Sequence, residues 1–284
     1  MMPKPVALVT DSTAYIPQHL VEKYAIRVAP QTLIWGDETF RDGVDITPED
    51  FYQRLATAKT LPTSTQVPVS TFAQIFGELL EAEYDVLAVV ISSKMSGTFN
   101  SAQQAKDALQ ADNVAIVDSR TTAMELGFHV LAAARAAEEG ASLETCKAVA
   151  VRAQEHTGVI LTVNTLEFLH RGGRIGGASR WVGTALRIKP VLEVRDGLVQ
   201  PLEKVRTRSK ALARVVEIVT ERASDYTPVR LAAMHAHAED DARQLLEQAT
   251  AQLNPIEALI SDVSPVVGTH VGPGTVALAY MAGM

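Results

Sequence analysis

The chain has 284 residues, 47% of them hydrophobic and 21% charged, with a net charge of −7 at pH 7. That length holds one large α/β domain or two ordinary ones, and the composition is that of a soluble globular protein with a full core. The acid excess argues against general nucleic-acid or acidic-membrane binding, the single Cys146 excludes an internal disulfide and fits a reducing compartment, and no apolar run approaches bilayer length. Only VALV precedes Asp11, too short for the apolar region of a signal peptide, so a cytoplasmic location is expected.

In chain order, Val6 to Val9 reads as a short strand ending in Thr10, Asp11, Ser12 and Thr13, followed by a helix from Pro17 to Tyr24. Ile26 to Trp35 contains a second strand, and GDETFRDGVDITP reads as a polar loop feeding a helix with Thr47 as N-cap and Pro48 at its first position. Thr63, Ser64, Thr65 and Gln66 form a polar clasp between two prolines, and Ser70 is read as the cap of the next helix. VLAVVI, from Val86, is a β-branched apolar run suited to a strand buried on both faces. It enters SSKMSGT and then a helix rich in Ala, Gln and Lys. VAIVDSRT follows, then helices over Met124 to Gly140 and Ser142 to Gln154.

A boundary is expected near His156 to Gly158, giving an N-terminal domain over 1–156 and a C-terminal one over 157–284. Beyond it come a strand (GVILTV), a short helix (NTLEFLH) and a glycine-rich loop. A hairpin with a turn at Asp196 and Gly197 follows, then a helix (Ser209 to Ala223), a strand (Val229 to His235) and a helix (Asp240 to Leu253). The last strand runs from Glu257 to Val263, GTHVGPG reads as a loop, and the Ala-rich tail after Gly274 reads as a helix. Strands alternating with helices imply an α/β fold of two α/β domains, the first a doubly wound, mostly parallel sheet.

TDST, SSKMSGT and DSRT all fall at the carboxyl edge of that sheet, where ligands of such folds bind. SSKMSGT is the richest of them. Ser92, Ser93, Ser96 and Thr98 exceed what one helix cap needs, and Gly97 lets backbone approach an anion at a helix start. Asp11 and Asp118 read more simply as turn residues bonding their own backbone. From Phe168 to Leu192 there is no acid, while Arg171, Arg174, Arg180, Arg187 and Lys189 give +5, leaving −12 on the rest of the chain. Such an island suits an anion or an acidic partner surface. His270, braced by glycines, is a hydrogen-bond donor, a base or a turn residue. There is no GxSxG elbow, no phosphate loop and no GxGxxG, and His235 and His237 lack the further ligand a metal site needs. Groups that hold an anion, with no evident nucleophile and base, suit a binding protein better than an enzyme.

VTDST, the Ser-Thr-Gln clasp, ISSKMSGT, LHRGGRI, KPVLEVRDG and GTHVGPG, in this order, resemble the DegV family, the bacterial fatty-acid-binding family that includes the fatty acid kinase B-type subunits. The resemblance spans nearly the whole chain. It implies one long-chain fatty acid, of the palmitate or oleate class, in an apolar tunnel between two domains. Carried over residue by residue, it places the carboxylate on Ser64 and Ser96, with Thr65 and Ser93 beside them. Arg174, His270 and Arg171 would form a secondary anion or partner site. The clasp reads Ser-Thr-Gln-Val where the family commonly has Thr-Ser-Gln-Pro, which keeps both hydroxyls. No cofactor, metal or nucleic acid is expected, and the resemblance implies a partner ATP-binding kinase subunit that receives the carboxylate. Contact with a membrane surface would be transient. The competing reading is a hydrolase of acyl or phosphoryl esters using Ser96 or Ser93 with His270.

Overall fold

The structure is a computed structural model that describes residues 4–284, and all their side chains except those of 183–187. Arg187 of the basic segment therefore lies outside the described side chains. The first half runs β1 (Val6–Asp11), a 3-10 turn (Ser12–Ala14), α1 (Gln18–Lys23), β2 (Arg27–Ala29), β3 (Thr32–Trp35), β4 (Glu38–Arg41) and α2 (Pro48–Thr57). It continues with β5 (Thr63–Thr65), α3 (Val69–Glu81), β6 (Asp85–Val90), α4 (Thr98–Leu109), β7 (Val114–Asp118), α5 (Ala123–Glu138) and α6 (Leu143–Ala153). The second half runs β8 (Thr157–Thr162), α7 (Glu167–Arg171), a 3-10 segment (Gly176–Arg187), β9 (Lys189–Arg195), β10 (Leu198–Val205) and α8 (Arg208–Ala223). It ends with β11 (Val229–His235), α9 (Glu239–Leu253), β12 (Glu257–Asp262), α10 (Pro265–Val271) and β13 (Val276–Ala282).

The first sheet has the order β2-β1-β6-β7 and is wholly parallel. The strand order reverses between β1 and β6, so this is the topological switch point. Val86 to Val90 have almost no exposure, as an unbroken apolar run predicts for a strand covered on both faces. The second sheet, β10-β9-β8-β13-β11-β12, is antiparallel except for β11 and β12. α5 packs between the two sheets, touching β1 and β6 on one side and β8, β11 and β13 on the other. One apolar cluster crosses the seam, with Leu87, Met124 and Phe128 from the first half and Leu161, Met234 and Ala279 from the second.

Several expectations hold in detail. Thr47 accepts from the Asp50 N–H at 3.2 Å, with Pro48 at the first helical position. Asp196 and Gly197 both take positive φ, 53° and 81°, as a two-residue hairpin turn of this twist requires.

Others do not. The stretch from Ile26 to Trp35 contains two strands rather than the one expected: the ladder breaks at Pro30, which lacks a donor, and β2 and β3 join different sheets. β3 instead joins an antiparallel sheet of order β4-β3-β5, so the expected polar loop contains a strand and the clasp is itself a strand. Ser70 is not a cap: α3 starts at Val69, after Pro68, with no side-chain cap bond. The tail after Gly274 is not a helix but β13, in the middle of the second sheet. Its Ala277, Leu278 and Ala279 are buried, and this two-sided packing overrides the helix propensity of alanine. GTHVGPG is not all loop, since His270 stands on α10, capped by Ser264, opened by Pro265 and closed at Gly272.

Candidate functional site

At the switch point, Asp11 at the end of β1 accepts from the Ile91 N–H at 2.7 Å, from the Thr13 N–H and hydroxyl at 3.0 and 2.6 Å, and from Gln31 Nε2 at 3.2 Å. It is more than a turn residue, for it fastens the two strands that flank the crevice. Burial nevertheless holds its carboxyl above the usual range. Asp118 does the same one strand over, accepting from the Ser93 N–H and Oγ at 3.2 and 2.5 Å and from the Arg120 N–H at 2.9 Å.

Above β1 and β6 the chain brings together the clasp, the SGT turn and α10. Gln66 lies against Gly97, where a Cβ would stand 3.1 Å from its amide carbon, so the two motifs are in close contact. The Ser96 and Thr98 hydroxyls are 2.9 Å apart, and Ser96 Oγ also accepts from the Thr98 N–H at 3.3 Å. Ser64 Oγ lies 2.7 Å from His270 Nε2. The other imidazole nitrogen, Nδ1, is buried without a hydrogen-bond partner and sits over Gly172, where a Cβ would approach it to 2.1 Å. Arg174 donates from Nε to the Met95 carbonyl at 3.1 Å and from Nη1 to the Gly172 carbonyl at 2.6 Å. Burial, and then the Arg174 charge, hold His270 down to about 4, so its imidazole is neutral at pH 7.

These groups line a cavity of about 150 Å³ together with Thr13, Gln31, Thr65, Thr122 and the apolar Ile91, Met95, Leu169, Val199, Val266, Val267 and Val271. No acid is among its described lining residues, although the chain carries 33 Asp and Glu. Ser64, Ser96, Thr65, Arg174 and His270 of the expected set thus converge. Two do not. Ser93 is exposed and spent on Asp118, because the turn aims it across to β7. Arg171 points outward and pairs with Glu167, one helical turn away, at 2.6 Å. His270 faces Ser64 rather than Ser96 or Ser93, so the serine–histidine pair of the hydrolase reading is not formed. Of the other expected cations, Lys189 reaches Asn164 Oδ1 at 3.2 Å and Arg180 is exposed. His235 closes β11 with Nδ1 3.5 Å from Asp262, and His237 stacks on Tyr52 at 6.1 Å. Among the described residues no group of three or more His, Cys, Asp or Glu is placed to hold a metal, and no helix is long and apolar enough to cross a membrane.

Sequence reading missed Gln31, Thr122 and the α10 valines as lining residues. The Ser264-Pro265 start and Gly272 stop of α10 were signals that could have placed the valines.

Fold and site together define an α/β protein of two large sheets and one small one, with a hydroxyl-lined pocket at the seam that has no acid among its described lining residues. The chain belongs to the DegV family: the sequence pattern of that family, described as an uncharacterised protein family, matches residues 5–283. It is 36% identical to a DegV domain-containing protein of Clostridium perfringens, over 97% of this chain and 98% of that one. It is 34% identical to the protein DegV of Bacillus subtilis over 97% and 98%. Among solved structures, a DegV family protein from Thermus thermophilus, described for its fatty-acid binding, superposes with a TM-score of 0.93 at 34% identity, covering 98% of this chain and 99% of that one. DegV from Bacillus subtilis, described as a fatty-acid-binding protein, gives 0.89 at 32% identity, covering 98% and 99%.

Proposed function

We propose that this protein binds one long-chain fatty acid at the seam between its two halves, residues 1–156 and 157–284, with the carboxylate in the acid-free pocket. The observation that carries this reading is the pocket's lining: hydroxyls, an imidazole and a guanidinium with no carboxylate of their own, backed by an apolar wall. A buried carboxylate needs such donors, because an unpaired buried charge is very costly. Ser96 and Ser64 give charge-assisted bonds, Arg174 balances charge, and the neutral His270 serves as donor through Nε2 once the ligand takes the place of Ser64. The solved relatives described as fatty-acid-binding proteins support the same ligand class.

The cavity is the size that holds a ring such as benzene rather than a long chain. The tail therefore enters by parting apolar side chains of the seam, where Met95, Met124 and Met234 offer adaptable packing. Each methylene withdrawn from water adds roughly 0.8 kcal/mol, so the tail supplies affinity and the polar end sets orientation.

In the same reading the end of the pocket that carries Arg174 and His270 is where a partner ATP-dependent kinase subunit meets the carboxylate. This step rests on the family resemblance and on the Arg174 guanidinium in the pocket lining. Native mass spectrometry of the purified protein, followed by organic extraction and lipid analysis, tests the ligand: a stoichiometric adduct of fatty-acid mass is expected. A protein that carries none and ignores added oleate and palmitate overturns the reading. Isothermal titration against a purified partner kinase subunit, with loaded and empty protein, tests the second step.

A further inference from the structure

α10 supplies Val266, Val267, His270 and Val271 to the pocket from the second half, whereas Ser64 and Ser96 come from the first. The distance between these donors is therefore set by whatever holds α10 against the first half. Its C-terminal end is held by the contact of His270 with Ser64. In its middle, Tyr52 of α2 lies over Gly268, where a Cβ would stand 2.5 Å from the phenol oxygen, and the same phenol donates to the Val263 carbonyl at 3.2 Å.

The start of α10 is held by Asp42, on the loop after β4. Asp42 is only 2% exposed. Its Oδ1 accepts from the Val266 N–H at 3.3 Å and its Oδ2 accepts from the Ser12 hydroxyl at 2.6 Å. Ser12 Oγ in turn accepts from the Gln31 N–H at 3.0 Å, and the Asp42 N–H donates to the Gln31 carbonyl at 2.9 Å. Gln31 itself lines the pocket. One carboxylate thus ties α10, the end of β1 and the β2–β3 connection at a single point.

We propose that Asp42 is a positioning residue for the carboxylate pocket, anchoring the start of α10 and so fixing where His270 stands relative to Ser64 and Ser96. The inference deepens the fatty-acid reading and rests on it. The titratable groups facing Asp42 are Asp11 on β1, Tyr15 after the 3-10 turn, Tyr52 on α2 and Asp262 at the end of β12, none of them a cation. Burial in this setting pushes the Asp42 carboxyl up to about 7. Ionised, it is acceptor-only and matches both donors. Protonated, it must place a proton of its own among them, and the grip on Val266 changes. His270, held at about 4, does not titrate near neutrality itself.

Histidine-selective ¹⁵N NMR of the unliganded full chain, with His270 assigned through His270→Gln, reads the position of the imidazole directly. The expected result is an inflection of the His270 ring resonances near pH 7 that disappears in Asp42→Asn. That variant keeps an acceptor for the Val266 N–H but turns an amide N–H towards the Ser12 hydroxyl, and it cannot titrate. Asp42→Ala is expected to move the His270 resonances at every pH and to weaken oleate binding about tenfold. An inflection that persists in Asp42→Asn, or a folded Asp42→Ala with unchanged His270 resonances, overturns the proposal. If Asp42→Ala does not fold, the Asn variant decides alone. A wild type that ignores oleate defeats the fatty-acid reading but leaves the NMR result to decide the role of Asp42.

Discussion

Two polar clusters sit at the seam between the halves, and they are built on opposite plans. In the first, Glu125 on α5 accepts from the Thr121 hydroxyl at 2.5 Å and from the Thr157 hydroxyl at 3.4 Å, while His129 Nε2 meets Thr157 at 2.7 Å. Beside it Glu193 is clamped by Arg222 at 2.7 Å and Arg195 at 3.2 Å. In the second, Ser64 meets His270 and Ser96 meets Thr98, which also accepts from the Val67 N–H at 3.4 Å, and no carboxylate is among their partners. The first cluster contains its own anion and the second lacks one. Glu125 does for its threonines what a ligand's carboxylate would do for Ser64 and Ser96. Hydroxyls alone therefore do not mark a binding site; hydroxyls without an internal acid do.

The sharpest way to break this contrast is to give the second cluster an acid. Ser96→Asp places a carboxylate where the ligand's should go, and like charges side by side cost several kcal/mol. Oleate binding, followed by isothermal titration, is expected to weaken about a hundredfold or more. An unchanged affinity would mean that the ligand's head group lies elsewhere. Ser96→Ala is milder: it removes one donor to a charged group and is expected to cost about 1.5–3 kcal/mol of binding.

The first cluster should answer to pH rather than to ligand. Burial pushes the Glu125 carboxyl up to about 7, against an ordinary value of 4.5. A carboxyl raised on folding contributes stability that is whole below the unfolded value and is lost as pH rises through the folded one. Between about pH 4.5 and 7 wild type therefore loses stability through Glu125, by at most about 3 kcal/mol, and Glu125→Gln removes that slope. Asp42 has the same sign, so the variant is compared with wild type and not with a flat line. The histidines run the other way. His129 and His270 are held down to about 3 and 4, so their contribution is whole above about 6.5 and is lost as pH falls towards those values. Chemical denaturation across pH 4 to 8 reads both arms. Oleate affinity at pH 7 should not notice Glu125→Gln, and a tenfold loss there would merge the two clusters into one site.

How much of this was legible beforehand follows from what is local and what is not. VLAVVI announced a strand buried on both faces because burial leaves its mark residue by residue, and SSKMSGT showed its excess of hydroxyls directly. What local reading missed is set by tertiary partners. β13 is a strand because β8 and β11 flank it, although its alanines favour a helix. β4 and the clasp strand exist because β3 offers both edges. Asp42, one acid in a polar loop, takes its meaning from partners distant along the chain, Ser12 on one side and Val266, 224 residues away, on the other. Ser93 and Ser96 stand three apart in one turn, yet only the direction of the chain after β6 tells which of them faces the pocket.

That last distinction gives the smallest predicted effects and the finest test of the contrast. Arg171 and Glu167 are 60% and 54% exposed, and a pair so open to solvent is worth about 0–1 kcal/mol. Arg171→Ala is expected to leave oleate affinity within about twofold, since the guanidinium neither lines the pocket nor adds much field there through water. Ser93→Ala removes a bond to Asp118 that ties the turn to β7, so it should lower the melting temperature slightly while sparing affinity. Ser96→Ala loses the bond from the Thr98 N–H, so it should lower the melting temperature about as slightly, and unlike Ser93→Ala it should lower affinity. Calorimetry and oleate titration on the two serine variants therefore decide whether neighbouring hydroxyls in one turn divide as the geometry says. Equal losses of affinity from both would show that the turn, rather than one hydroxyl in it, holds the ligand.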